Sequence, residues 1–219
     1  MKFVALFLCV TLPLVAQQRA PSPDRGVFHI SANGQEIGVE RFEIAPTREG
    51  ALQATAELQI TQEGVGRLTE TATLLLRRGI EPISYERVQK SPKRGIASLT
   101  FGPDKVSAHY KTTQGGVQDM EFYVPKDVVV LDTNFFHHYT FLVRQYDFVK
   151  GGRQHMSVLV PQEASPGMVN VEYLGQDQSL RKLVARTDEL EIHIWADDAG
   201  RIMKIQVPAA KVEVIREIK

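Results

Sequence analysis

Residues 52–61 read LQATAELQIT. Leu52, Ala54, Ala56, Leu58 and Ile60 take alternate positions, and Gln53, Thr55, Glu57, Gln59 and Thr61 fill the places between them. Successive side chains of a strand point to opposite faces, so this segment is a strand with one apolar and one polar face. In a helix the same apolar residues would be scattered around the cylinder.

The pattern recurs along most of the chain. Leu68, Ala72, Leu74 and Leu76 share one phase, as do Val106, Ala108 and Tyr110. Met156, Val158 and Val160 follow, then Val169, Val171 and Tyr173, then Leu190, Ile192 and Ile194. Turn signals separate the runs: Asn33-Gly34, Glu63-Gly64, Gly102-Pro103-Asp104, Gly115-Gly116, Gly151-Gly152 and Asp197-Asp198-Ala199-Gly200. Short links and one wet face mean antiparallel neighbours, because parallel crossovers are long and cover both faces. The rules give roughly a dozen strands. Over 36–44, EIGVERFEI, the phase slips: Ile37 and Val39 are odd, Phe42 and Ile44 even. A β-bulge between Val39 and Phe42 restores the face and bends the strand. Large bulged sheets curl. The expected fold is therefore mainly β: one curved antiparallel sheet or incomplete β-barrel.

What it curls around is expected over residues 133–149, in the run LDTNFFHHYTFLVRQYDF (131–148) and its continuation. Asp132 or Thr133 is placed to cap the N-terminus, and Lys150 before Gly151-Gly152 closes the other end. Phe135, Tyr139, Leu142, Tyr146 and Val149 recur at spacings of four and three, and Phe136 and Val143 widen that stripe. Phe141 and Phe148 lie on nearly the opposite side. A helix apolar on most sides is buried on most sides.

The run holds His137 and His138. Adjacent helical residues diverge by about 100°, so the two imidazoles do not converge on one ion. No carboxylate or third histidine stands three or four residues away. The expected role is structural: His138 partly buried beside the stripe, and His137, near Arg144, the more tolerant of substitution. No metal, cofactor or catalytic residue is assigned. The chain lacks Gly-x-Ser-x-Gly, His-Glu-x-x-His and a phosphate-cradling glycine loop. Glu70 lies on the apolar phase between Leu68 and Ala72. An inward carboxylate needs a partner, so a strand end or bulge that exposes it is the simpler expectation.

Composition sets the compartment. Lys2, the apolar run 3–15 and the small Ala16 read as a secretory signal peptide over 1–16, too short to span a bilayer. A flexible leader over 17–26 and a single domain over 27–219 follow. Cys9, the only cysteine, leaves with the signal, and Leu6, Phe7 and Leu8 before it do not fit a lipid-attachment site. Export without cysteines points to a bacterial periplasm, with no lipid anchor and no transmembrane segment in the mature chain. Lys plus Arg and Asp plus Glu balance at 26 each, which argues against nucleic acid or an anionic membrane as partner.

The ending WADDAGRIMKIQVPAAKVEVIRE (195–217) is similar to that of many bacterial exported proteins of unknown function, in which an Asp-x-x-Gly turn and a Pro-containing link close a long antiparallel sheet. With the signal peptide and the mid-chain helix, the chain resembles the incomplete β-barrel of the lipoprotein-localisation (LolA/LolB-like) architecture. That resemblance implies an acyl chain held between a curved sheet and helical elements, although one helix here replaces several lid segments. The surplus of aromatics makes Phe135, Phe136, Tyr139, Leu142 and Tyr146, with Trp195 on the rim, the expected contacts of an apolar or acyl ligand, from a lipid or a lipoprotein. The expectation is a non-enzymatic periplasmic binding or carrier protein. Its alternative is an envelope scaffold or interaction module with a solid core.

Overall fold

The computed structural model describes residues 23–62, 64, 66–77 and 80–218. The signal peptide, Cys9 and most of the leader lie outside the described residues. Among the described residues fifteen strands form one sheet. The first eight run as a meander: β1 (Asp24–Ala32), β2 (Gln35–Pro46), β3 (Leu52–Gln62), β4 (Gly66–Leu76), β5 (Pro82–Ser91), β6 (Gly95–Phe101), β7 (Lys105–Lys111) and β8 (Val117–Tyr123). The helical segment follows. The second set is β9 (Val129–Val130), β10 (Arg153–Val160), β11 (Ser165–Asp177), β12 (Leu180–Arg186), β13 (Glu191–Ala196), β14 (Ile202–Val207) and β15 (Val212–Arg216).

The spatial order is 8-7-6-5-4-3-2-1-15-14-13-12-11-10-9, so β15 returns to pair with β1 and joins the two meanders. Every neighbouring pair is antiparallel except β9 with β10, which is parallel. The sheet does not close, and β8 and β9 are its two ends. Between them Tyr110 donates its hydroxyl to the Pro161 carbonyl at 2.9 Å, which ties β7 to the β10–β11 turn. Register shifts interrupt the ladders at Ile30/Ser31, Thr69/Glu70, Leu75/Leu76, Tyr173/Gly175 and Trp195/Ala196. Each such bulge sharpens the local bend, and the sheet curls with its apolar face inward.

Three expectations need correction. The bulge in β2 lies at Ile37, where Gly38 pairs with Ile30 and Glu36 with Ser31, not between Val39 and Phe42. Glu40, Phe42 and Ile44 therefore share the inner face. The first strand begins at Asp24, inside the expected leader, because buried Asp24 is held by Arg216 at 2.5 Å. The helix is shorter than 133–149: a 3-10 turn over Phe136–His138 leads into α1, Tyr139–Gln145.

Local chemistry explains those helix ends. The Asp132 carboxylate accepts the Asn134 amide at 2.9 Å, a turn that holds the preceding residues out of the helix. At the other end Asp147 Oδ1 accepts the amides of Val149 and Lys150, at 2.9 and 3.1 Å. Gly151 and Gly152 then take φ of 63° and 65°, which glycine adopts without a Cβ clash. Val149, expected on the buried stripe, is 99% exposed. Phe135, Phe136, Tyr139, Phe141, Leu142, Val143 and Tyr146 are all buried, and they join the inner face of the sheet in one core.

Candidate functional site

Four carboxylates and histidines lie inside the curl of the sheet at 0% exposure: Glu40, Asp132, His137 and His138. Glu40 reaches them from the inner face of β2. Its Oε2 accepts the Phe136 amide at 2.7 Å, and its Oε1 accepts the His137 amide at 3.2 Å. The first amides of a helical segment have no partner within it. Glu40 therefore does the capping expected of Asp132 or Thr133, from 96 residues away in sequence. The same Oε1 meets His137 Nδ1 at 2.5 Å. Burial pushes the Glu40 carboxyl up to about 8, against the pull of the Phe136 and His137 amides. Burial pushes His137 down to about 3, with Asp24 opposing. Both shifts favour a neutral pair sharing one proton between Oε1 and Nδ1. The His137 ring also stacks on Phe42, with centroids 5.6 Å apart.

His138 points to the other half of the cluster. Its Nδ1 accepts the Asp132 amide at 3.2 Å, so the ring hydrogen sits on Nε2. Burial, then His137, holds this imidazole well below its usual range. The Asp132 carboxylate accepts hydrogen bonds from the Tyr85 hydroxyl and the Gln162 side-chain amide. Glu70 is also buried. It pairs with Arg87 at 3.1 Å and accepts from Asn134 Nδ2 at 2.8 Å. Burial raises its pKa, and Arg87 and Asn134 draw it back.

Two readings from sequence change accordingly. The register does shift at Thr69/Glu70, yet Glu70 stays inside and paired instead of being exposed. His138 is fully rather than partly buried, and so is His137, expected to be the more tolerant of the two. It is the histidine locked to a carboxylate from a distant strand. Glu40 was readable only as an acid in phase with Phe42 and Ile44, and that phase became meaningful once the bulge fell before it. Tyr85 and Arg87 gave no signal beyond lying two apart on one strand.

Chemically, the cluster fastens the helix to the wall. His137 Nε2 and His138 Nε2 have no hydrogen-bond partner among the described residues, and both rings lie out of contact with solvent. Among the described residues no three of the His, Cys, Asp and Glu side chains are grouped to hold a metal.

The expected ligand contacts fall into two places. Phe135, Phe136, Tyr139, Leu142 and Tyr146 come together on the buried helical segment. Trp195 does not join them: it follows Ile194 on the opposite face of β13, outside the core cluster, and at 8% exposure it is buried there instead of standing on a rim. There the indole donates to Asp177 at 2.8 Å, and the Lys182 and Lys204 ammoniums lie 4.9 and 5.4 Å from its ring. Among the described residues, none of the four best-formed surface clefts is lined by a residue of 133–149. The largest of the four, about 460 Å³, sits at the end of the barrel where β1 begins.

No family model matches the chain, and no curated protein matches it. Solved structures do. One is a β-barrel-like protein of domain of unknown function DUF1849 from Brucella abortus, at 7% identity and a TM-score of 0.59, covering 89% of this chain and 94% of that one. Another is a DUF1089 family protein from Pseudomonas aeruginosa, at 15% identity and a TM-score of 0.49, covering 91% and 95%. The first likeness, at so low an identity, is one of fold: this chain is a β-rich, β-barrel-like protein.

Proposed function

We propose that this protein is an exported, non-catalytic module with a solid interior, acting through its outer surface on a partner in the bacterial envelope. One observation carries the reading. The segment expected to face a ligand is turned away from solvent, with Phe135 and Leu142 at 0% exposure, and Glu40 clamps its first two amides. An acyl chain held as in the lipoprotein-localisation architecture would have to displace this helix. That would strip Glu40, Asp132 and Glu70 of buried partners, and each such loss is expensive. Export rests on the reading of residues 1–16.

The test is the state of the protein as its own cell exports it. Material purified from the periplasm, examined by native mass spectrometry, is expected to carry no co-purified lipid, and a fluorescent fatty acid is expected not to enter the core. Stoichiometric lipid, lost when Phe135 or Tyr139 is changed, would restore the carrier reading. Protein found only in the cytoplasm, with residues 1–16 intact, would remove the export reading.

A further inference from the structure

We propose that the cleft at the β1 end of the barrel binds a small amphipathic anion, a short-chain aliphatic carboxylate being the simplest form. Its volume, about 460 Å³, falls in the range of small-molecule sites. Phe42, Leu180 and Met203 supply an apolar wall; Arg25, Arg201 and Arg216 supply cations. Gly26 shapes the floor. A Cβ there would lie 2.8 Å from the Phe42 ring and 3.0 Å from the Arg216 guanidinium carbon. Its absence lets that guanidinium lie 5.3 Å from the Phe42 centroid.

The three arginines differ in what they have left to give. Arg216 is spent on structure: Nη2 donates to Asp24 Oδ1 at 2.5 Å and to the Arg25 carbonyl at 2.7 Å, and Nη1 donates to Asp24 Oδ2 at 3.2 Å. Arg25 and Arg201 sit largely exposed on the rim. Arg25 donates to Glu43 through Nη2 alone, at 2.6 Å. Arg201 meets Asp197 Oδ2 through Nε at 2.7 Å and Nη2 at 2.6 Å. A guanidinium has five N–H donors, so both keep donors in reserve.

Of the two carboxylates in the lining, Asp197 takes the amides of Ala199 and Arg201 on Oδ1, at 3.0 and 2.9 Å, and Arg201 itself on Oδ2. Glu217 stands 3.7 Å from His29, beyond hydrogen-bond reach. Arg25 and Arg201 bring spare donors above an apolar wall. A carboxylate is their complement, because guanidinium and carboxylate make charge-assisted bonds. Exposed ion pairs contribute little, so exchanging Glu43 for a ligand oxygen has a small penalty. The apolar chain would cover Phe42, Leu180 and Met203. An anionic lipid head group offers similar charge, and titration with vesicles separates the two sources.

Methyl-labelled methionine gives the test, with Met120, Met156 and Met168 as internal controls. Titration with sodium octanoate is expected to shift the Met203 methyl resonance saturably and leave the other three in place. Octanol and octylamine are expected to give no such shift, and phosphatidylglycerol vesicles no binding. The double variant Arg25→Gln with Arg201→Gln is expected to keep its melting temperature and bind octanoate at least tenfold more weakly. Any of four results overturns the proposal: no saturable shift at Met203, a shift shared by all methionines, undiminished binding in the double variant, or octanol as good a ligand. Vesicle binding without an octanoate site would assign the arginines to a membrane instead.

Discussion

Replacing Glu40 by glutamine should change how stability depends on pH. A glutamine amide can still accept the Phe136 amide and donate to His137 Nδ1, but its nitrogen cannot accept the His137 amide as Oε1 does. The folded Glu40 titrates at about 8, above its ordinary 4.5, so between those values the folded chain holds more protons than the unfolded one. Stability then falls as pH rises through that window. His137 acts in the opposite sense. It titrates at about 3 instead of 6.5, the unfolded chain holds the extra proton between them, and stability rises with pH there. The two slopes cancel between 4.5 and 6.5. His138, also depressed, adds to the rise below 6.5, and Glu70, also raised, adds to the fall above its ordinary value. Above 6.5 the Glu40 slope is uncompensated, with a limit of about 1.4 kcal/mol per pH unit. Urea unfolding at pH 6.5 and pH 8 should therefore show the wild type losing up to about 2 kcal/mol, that slope taken over the interval. Glu40→Gln should lose clearly less over that interval, while lying about 1–3 kcal/mol below the wild type at pH 6, where the His137 amide is left without its acceptor. Parallel pH profiles for the two proteins would refute the assignment of a buried, protonated Glu40.

Phe135→Ala should lower stability by about 3–5 kcal/mol in chemical denaturation, the range for emptying a packed aromatic site. A loss below about 1 kcal/mol would mean a loosely packed helix. Glu70→Ala should lower it by a similar amount, because Arg87 is left without its buried partner, and Glu70→Gln with Arg87→Met should recover most of the loss. Val149→Ser should stay within about 0.5 kcal/mol of wild type, since that side chain stands in solvent despite its place in the apolar repeat.

The strands were legible where alternation runs unbroken. Leu52, Ala54, Ala56 and Leu58 are all buried, as are Leu68, Ala72, Leu74 and Leu76. The two-residue β9 was too short to carry a period, and β8, with Gln118, Met120 and Phe122 facing inward at an edge, too mixed in polarity. The helix was legible as a body, because aromatic residues on all sides require burial on all sides. Its ends were not, since they are set by Asp132 and Asp147 side chains competing for backbone amides. The polar cluster was half legible. Glu70 and the two histidines stood out as polar groups in apolar surroundings. Their partners Arg87 and Glu40 arrive through strand register, and no spacing within the helix encodes a carboxylate 97 residues away.

The central claim is that the helix is a permanent part of a solid core. Native-state hydrogen exchange at the amides of Leu142 and Val143, with and without a fatty-acid probe, tests it most directly. The account predicts exchange only through global unfolding, at the full free energy measured by denaturant under the same conditions, both with and without the fatty acid. Exchange several kcal/mol easier than global unfolding, or accelerated by the fatty acid, would contradict it and make the helix a lid.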